Sequence, residues 1–140
     1  MQIHTFTHSN NKNLDYLVKN NNQKQAVILF HGYGASMQDL YDLNQISPQY
    51  DWYFPQGTME LMGNMSRAWF PINEQALQAA MIQGTHRDLS QEHPEGLEEN
   101  VELTRAFIKS LGYDKVVIGG FSQGAMLSSH LLGELNSRLK

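Results

Sequence analysis

The segment Lys115-Val116-Val117-Ile118-Gly119-Gly120-Phe121-Ser122-Gln123-Gly124 constrains the fold of this chain more than any other. A short apolar run is followed by a glycine-serine turn, and from about Gln123 to Leu135 the apolar spacing becomes that of a helix. Strand and helix are therefore joined with almost no connecting loop. Upstream, Pro94-Glu95 opens a helix whose first turn is acidic, matching the helix dipole. Leu97, Val101, Leu103, Phe107 and Ile108 give that helix a broad apolar face, and Gly112 sits where a C-terminal cap belongs. Helix, apolar strand, helix is the grammar of a parallel sheet with crossover connections, so the fold class is α/β.

The first half of the chain supplies further strands. Ala26-Val27-Ile28-Leu29-Phe30 is continuously apolar, predicts a strand covered on both faces, and ends in His31-Gly32-Tyr33-Gly34. Leu14, Tyr16 and Val18 alternate with polar neighbours, the period of a half-exposed strand, with Ile3 and Phe6 as a short partner. The polar patch Asn20-Asn21-Asn22-Gln23 reads as a turn. Ser36 is placed to cap a helix carrying Leu40 and Leu43, and Trp52-Tyr53-Phe54 predicts another strand. Residues 56–70 show no sustained period and read as a long loop, and residues 73–83 read as a helix.

Composition removes several classes of function. Hydrophobic residues make up 41% and charged residues 17%, ordinary for a globular domain. The net charge is −4 and the basic residues are scattered, so no electrostatic surface for nucleic acid is expected. The chain has no cysteine, which excludes disulfides, thiolate catalysis and zinc–cysteine sites. No histidines stand at metal-ligand spacing, and no metal is expected. The N-terminus lacks signal-peptide character, and the longest apolar run, Ala26 to Phe30, is far short of a membrane span. A cytoplasmic protein is the expectation.

Gly120-Phe121-Ser122-Gln123-Gly124 matches G-x-S-x-G at the junction of strand and helix. Chemically, such a turn lifts a serine hydroxyl above the sheet, within reach of a base. The Gln123 amide, opening the helix, points its N–H where an oxyanion would form. A second donor is needed, and the turn after Ala26–Phe30 can expose the Tyr33 N–H. His31 reads as a hydrogen-bonded structural histidine rather than a base. Met59, Leu61, Met62, Met65, Trp69 and Phe70 lie in the aperiodic loop, and either form an adaptable acyl-binding wall or pack beneath the loop as part of the core.

Ile28-Leu29-Phe30-His31-Gly32-Tyr33-Gly34, followed by Gly119-Gly120-Phe121-Ser122-Gln123-Gly124-Ala125-Met126, resembles the phospholipase/carboxylesterase family, the α/β-hydrolases that include the acyl-protein thioesterases. Phe54-Pro55-Gln56-Gly57 and Arg67-Ala68-Trp69-Phe70 fall between them in the order that family shows. The resemblance implies a serine carboxylesterase or thioesterase that acts on acyl esters without a cofactor. It implies Ser122 as nucleophile, Tyr33 and Gln123 as oxyanion amides, and the Trp69 region, with Phe70 and Met65, as substrate-binding wall.

Beyond Ser122 the sequence offers one histidine, His130, and one carboxylate, Glu134. His130 lies roughly 12 Å along the helix axis from Ser122, too far for a general base. His4, His8, His86 and His93 show no better case. In this fold the triad Asp and His follow the serine, so residues 1–140 read as a single, C-terminally truncated α/β-hydrolase domain. Its expected form is an incomplete, mostly parallel sheet with flanking helices, ending after the elbow helix. The alternative is a catalytically inactive chain acting as a binding module, with its sheet edge and apolar loop forming a homodimer.

Overall fold

A computed structural model describes residues 3–9, 11–61, 66–70 and 97–139. The helix expected at 73–83, the helix opening at Pro94-Glu95, Met65, His86 and His93 lie outside the described residues. Among the described residues, five strands form the main sheet: β1 (His4–Thr7), β2 (Asn13–Lys19), β3 (Gln25–Phe30), β4 (Asp51–Pro55) and β7 (Lys115–Gly120). β5 (Met59–Glu60) and β6 (Arg67–Ala68) make a separate two-stranded ribbon. Among the described residues the α-helices are α1 (Leu97–Leu111) and α2 (Gln123–Leu139), and a 3₁₀ helix spans Met37–Ile46.

The strand order is β1-β2-β4-β3-β7. β1 and β2 pair antiparallel, as do β2 and β4, whereas β4-β3-β7 is parallel. The three parallel strands therefore bring their carboxyl ends, at Pro55, Phe30 and Gly120, to one side of the sheet. Open α/β sheets bind their ligands on that side.

From Ala26 to Phe30, β3 is apolar on both sides, and each of its faces meets a separate core. Ile28 and Phe30 join Leu14, Trp69, Phe70, Leu103, Phe107, Leu127 and Leu131 on the face covered by α1 and α2. Val27 joins Leu17, Met37, Trp52 and Phe54 on the other face, where Leu40 and Leu43 of the 3₁₀ helix pack. β2 departs from the half-exposed strand its alternation predicts. Leu14 faces the first core and Leu17 the second, so both faces are covered. β7 departs in the opposite sense. Val116 and Ile118 pack against the first core, but Val117 is 41% exposed, because β7 is the last strand of the five and no described element covers its second face.

Local chemistry fixes the connections. Asn11, at φ 67, turns the β1–β2 hairpin, and its N–H donates to His8 O at 2.9 Å. The Asn20–Gln23 patch is a turn: Asn22 has φ 57 and its N–H donates to Asn20 Oδ1 at 2.8 Å. Ile3 is 54% exposed and precedes β1, so Phe6 alone carries the apolar side of that strand. The element after Ser36 is a 3₁₀ rather than an α-helix, with the Ser36 N–H bonded to Asp39 Oδ2 at 2.8 Å. Residues 56–70 contain the β5–β6 ribbon, whose two-residue strands are too short to show a period. α1 ends at Gly112, φ 71, as the cap position predicts.

At the amino ends of the parallel strands, Asp51 is buried and accepts bonds from Asn21 N–H (2.7 Å), Gln23 N–H (3.2 Å) and Tyr113 O–H (2.5 Å). The Tyr113 hydroxyl also meets that of Tyr53 at 2.7 Å. Burial, then the bond to Asp51, pushes the Tyr113 phenol well above its ordinary pKa. This cluster ties the Asn20–Gln23 turn, β4 and the entry to β7 together at the end of the sheet opposite Ser122.

Phe107 of α1 is fully buried and meets the rings of Tyr16 (4.8 Å), Phe6 (5.7 Å) and Tyr53 (6.1 Å). Phe107→Ala lowers the unfolding free energy by about 3–5 kcal/mol. Lys109→Ala, exposed on the same helix, changes it by less than about 0.5 kcal/mol; urea titration of both variants checks the pair.

Candidate active site

Ser122 stands between the last residue of β7 and the first of α2, exposed and with φ 55. A non-glycine residue in the left-handed region costs about 1–3 kcal/mol and persists only when its surroundings impose it. The imposing contact is backbone against backbone. A Cβ added at Gly124 would lie 2.1 Å from Phe30 O, and one at Gly120 would lie 2.4 Å from Gly124 C. Only glycine at both positions lets α2 start directly on the ends of β7 and β3. Phe121 N–H then continues the β3–β7 pairing to Phe30 O at 3.1 Å, and Gly124 N–H donates to Phe121 O at 2.9 Å.

The same register lays the turn after β3 beside the serine. A Cβ at Gly32 would lie 3.3 Å from Ser122 Cβ and 3.2 Å from Phe121 O. Tyr33, next in sequence, and Gln123, next to Ser122, thus come to one place from segments about ninety residues apart. No hydrogen bond among the described residues takes up either of their main-chain N–H groups. The Gln123 amide also belongs to the first turn of a 17-residue helix, where main-chain donors and the helix dipole favour negative charge.

His31, 1% exposed, sits under this turn. Its Nδ1 lies 2.8 Å from Gly32 O, and its Nε2 accepts the Gly57 N–H at 2.8 Å. A carbonyl can only accept and an amide only donate, so the ring is neutral with its proton on Nδ1. It is a strut, as the sequence suggests, with both nitrogens occupied. Burial holds its pKa below the ordinary 6.5, against a smaller opposing effect of the Gly32 carbonyl.

Trp69 and Phe70 are 1% and 4% exposed and belong to the first core. The Trp69 ring stacks on His31 at 5.3 Å and its indole N–H donates to His31 O at 3.0 Å. Their main chain is held by the buried Gln123 side chain, which accepts Trp69 N–H at 2.6 Å and donates to Phe70 O at 2.7 Å. Met65, the third residue of the expected acyl wall, lies outside the described residues.

The sequence assigns no role to two supporting residues, although Gln56 stands within Phe54-Pro55-Gln56-Gly57. Buried Gln56 accepts the Met37 N–H at 2.8 Å, and buried Asn100 donates to Trp69 O. Asn100 had a signal: it stands three positions from both Leu97 and Leu103, on the apolar side of its helix. His130 lies on the unbroken helix α2 leading away from Ser122, as its spacing predicts. His4 and His8 belong to β1 and its turn, roughly 20 Å from β7 at about 4.8 Å per strand. Among the described residues no group of acidic or histidine side chains is arranged to hold a metal.

A mixed sheet with this strand order, a left-handed serine between its last strand and a helix, and a glycine turn alongside defines an α/β-hydrolase fold. The sequence profile of the phospholipase/carboxylesterase family matches residues 13–140, and the chain belongs to that family. Among solved structures, it is similar to a carboxylesterase from Mesorhizobium loti, with TM-score 0.64 and 19% identity over 85% of this chain and 54% of that one. It is also similar to an α/β hydrolase from Novosphingobium aromaticivorans, with TM-score 0.59 and 17% identity over 97% of this chain and 40% of that one. YahD, solved with malic acid, gives TM-score 0.57 and 17% identity over 85% and 56%. The chain therefore spans about half the length of these structures. No curated protein matches it in sequence.

Two outcomes follow from this geometry. Gly124→Ala forces a Cβ onto Phe30 O and costs more than about 3 kcal/mol, the upper range of overpacking. Gly112→Ala meets no atom within 4 Å and pays only for its φ of 71, about 1–2 kcal/mol; thermal unfolding separates the two. For His31, the unfolded state binds the proton more tightly than the folded state. Its contribution to stability is complete above pH 6.5 and is lost as pH falls from 6.5 through the lower folded-state pKa. Urea unfolding between pH 7.5 and 5 shows that loss, and His31→Gln flattens it.

Proposed function

We propose that the protein hydrolyses carboxylic esters or thioesters of small acyl substrates, with Ser122 as nucleophile. The observation that carries this reading is the φ of 55 at an exposed Ser122, on a turn that abuts Gly32. A strained, presented hydroxyl beside two main-chain donors is the arrangement acyl transfer needs. In this reading Ser122 Oγ attacks the acyl carbon, and the carbonyl oxygen becomes an oxyanion held by the Tyr33 and Gln123 amides. The alkoxide or thiolate then leaves, and water hydrolyses the acyl-enzyme.

The general base and its orienting carboxylate belong, in this proposal, to sequence following residue 140. His31 has both nitrogens committed, and His130, His4 and His8 stand too far away. Trp69 and Phe70 lie in the core beneath the acyl site. No cofactor or metal enters the reaction. The partner is a small acyl ester or thioester rather than nucleic acid, and the reading keeps the protein in the cytoplasm. Among the described residues, no helix is long and apolar enough to cross a membrane.

A fluorophosphonate probe followed by intact-mass measurement tests the reading. The protein carrying this chain together with the downstream Asp and His gains one adduct. Ser122→Ala loses it, and ester turnover falls by about 10⁴-fold or more. Unchanged turnover in Ser122→Ala overturns the proposal. The 140-residue chain alone takes no adduct at a useful rate.

A further inference from the structure

The two amides assigned to the oxyanion lie on segments that share no covalent connection near the site, yet donors of this kind must be held to within about 0.5 Å. Both segments are bonded to a third. On one side, Gly34 N–H donates to Arg67 O at 2.8 Å, Arg67 N–H donates to Ala35 O at 2.9 Å, and the Trp69 indole N–H donates to His31 O at 3.0 Å. On the other side, Trp69 N–H and Phe70 O take both ends of the Gln123 carboxamide, at 2.6 and 2.7 Å. The remaining polar group of Trp69, its carbonyl, accepts from Asn100 of α1, and Asn100 Oδ1 accepts from Thr58 Oγ1 at 3.0 Å. Every polar atom of Trp69 is thus used, and the residue is 1% exposed.

From this we infer that Trp69 and the side chain of Gln123 are positioning residues that set the separation of the Tyr33 and Gln123 amides. The assignment rests on the serine-esterase reading above. Gln123 then has two separate jobs. Its main-chain N–H faces the substrate oxygen, and its buried carboxamide, bonded to Trp69 N–H and Phe70 O, locks the elbow to the Arg67–Phe70 segment. Trp69 carries that lock across to the Gly32–Tyr33 turn through its indole N–H. Neither side chain touches the reacting atoms. Their effect is on where the two donors stand, and so on the transition state rather than on ground-state binding.

The first test needs no turnover. In the 140-residue chain, Gln123→Met keeps the size of the side chain and removes both of its hydrogen bonds. It is expected to speed hydrogen exchange at the Trp69 indole N–H and the Gly34 N–H, two sites Gln123 does not contact. Gln123→Glu, which keeps the acceptor for Trp69 N–H, restores part of the protection. Unchanged exchange at both sites in Gln123→Met means the two anchorages are independent and overturns the inference. The second test uses the protein with its downstream sequence and a short-chain p-nitrophenyl ester. Trp69→Phe and Gln123→Met lower kcat by about 10-fold or more, below the 10²–10³ lost when a donor is removed outright. KM changes by less than about 3-fold, and Gln123→Glu recovers part of kcat. A loss that tracks only the folded fraction, or falls on KM alone, overturns it. If Ser122→Ala keeps its activity, the serine reading fails by itself and the exchange experiment still decides the coupling.

Discussion

The contact on which the rest of this molecule depends is the approach of α2 to the end of β3, with main chain against main chain and no side chain between. Gly124 lies where any Cβ would collide with Phe30 O, and Gly120 lies where one would collide with Gly124. That approach fixes three things together. It puts Ser122 in the left-handed region, it starts a helix at Gln123, whose N–H takes no hydrogen bond among the described residues, and it holds the β3 turn against the serine. The parallel register of Phe30 opposite Gly120 is what aligns them. A shift of one residue would turn β3's two sets of side chains to the wrong cores and separate Gly32 from Ser122 together.

Beneath the turn, polar side chains do what apolar ones could not. The loops leaving β3, β4 and β7 carry main-chain groups into the protein, and a buried N–H or C=O without a partner costs about 1–3 kcal/mol. His31, Gln56, Asn100 and Gln123 are buried there, and each bonds to the main chain of a loop or helix end. The neutrality of His31 is part of this arrangement, since a second ring proton would face the Gly57 N–H donor to donor. At the opposite end of the sheet Asp51 serves the same purpose for the Asn20–Gln23 turn and Tyr113. The scaffold is thereby pinned at both ends of its strands, with two apolar cores between.

How much could be read in advance varied with the length and regularity of each segment. β3, the C-terminal end of α1 at Gly112 and the β7–Ser122–α2 junction are strongly patterned or punctuated, and they agree closely with the apolar spacing and the glycines. The β5–β6 ribbon has two-residue strands, and no periodicity can mark so short an element. The second buried face of β2 escaped because Leu17 reads as an interruption of the Leu14-Tyr16-Val18 alternation until the 3₁₀ helix covers it. Val117 looked as buried as its neighbours, since apolar sequence records what a strand can bury and not which element lies over it.

By itself, the sequence determined the α/β class, the double-sided core of β3, the family, and the turn at which an exposed serine must stand, because glycine placement and apolar spacing are local properties. Only the tertiary structure decided that His31, Trp69 and Gln123, distant in the chain, share one hydrogen-bond network beneath that serine. Such bonds depend on which loops the strand order β1-β2-β4-β3-β7 brings together, and no local pattern of residues records that order.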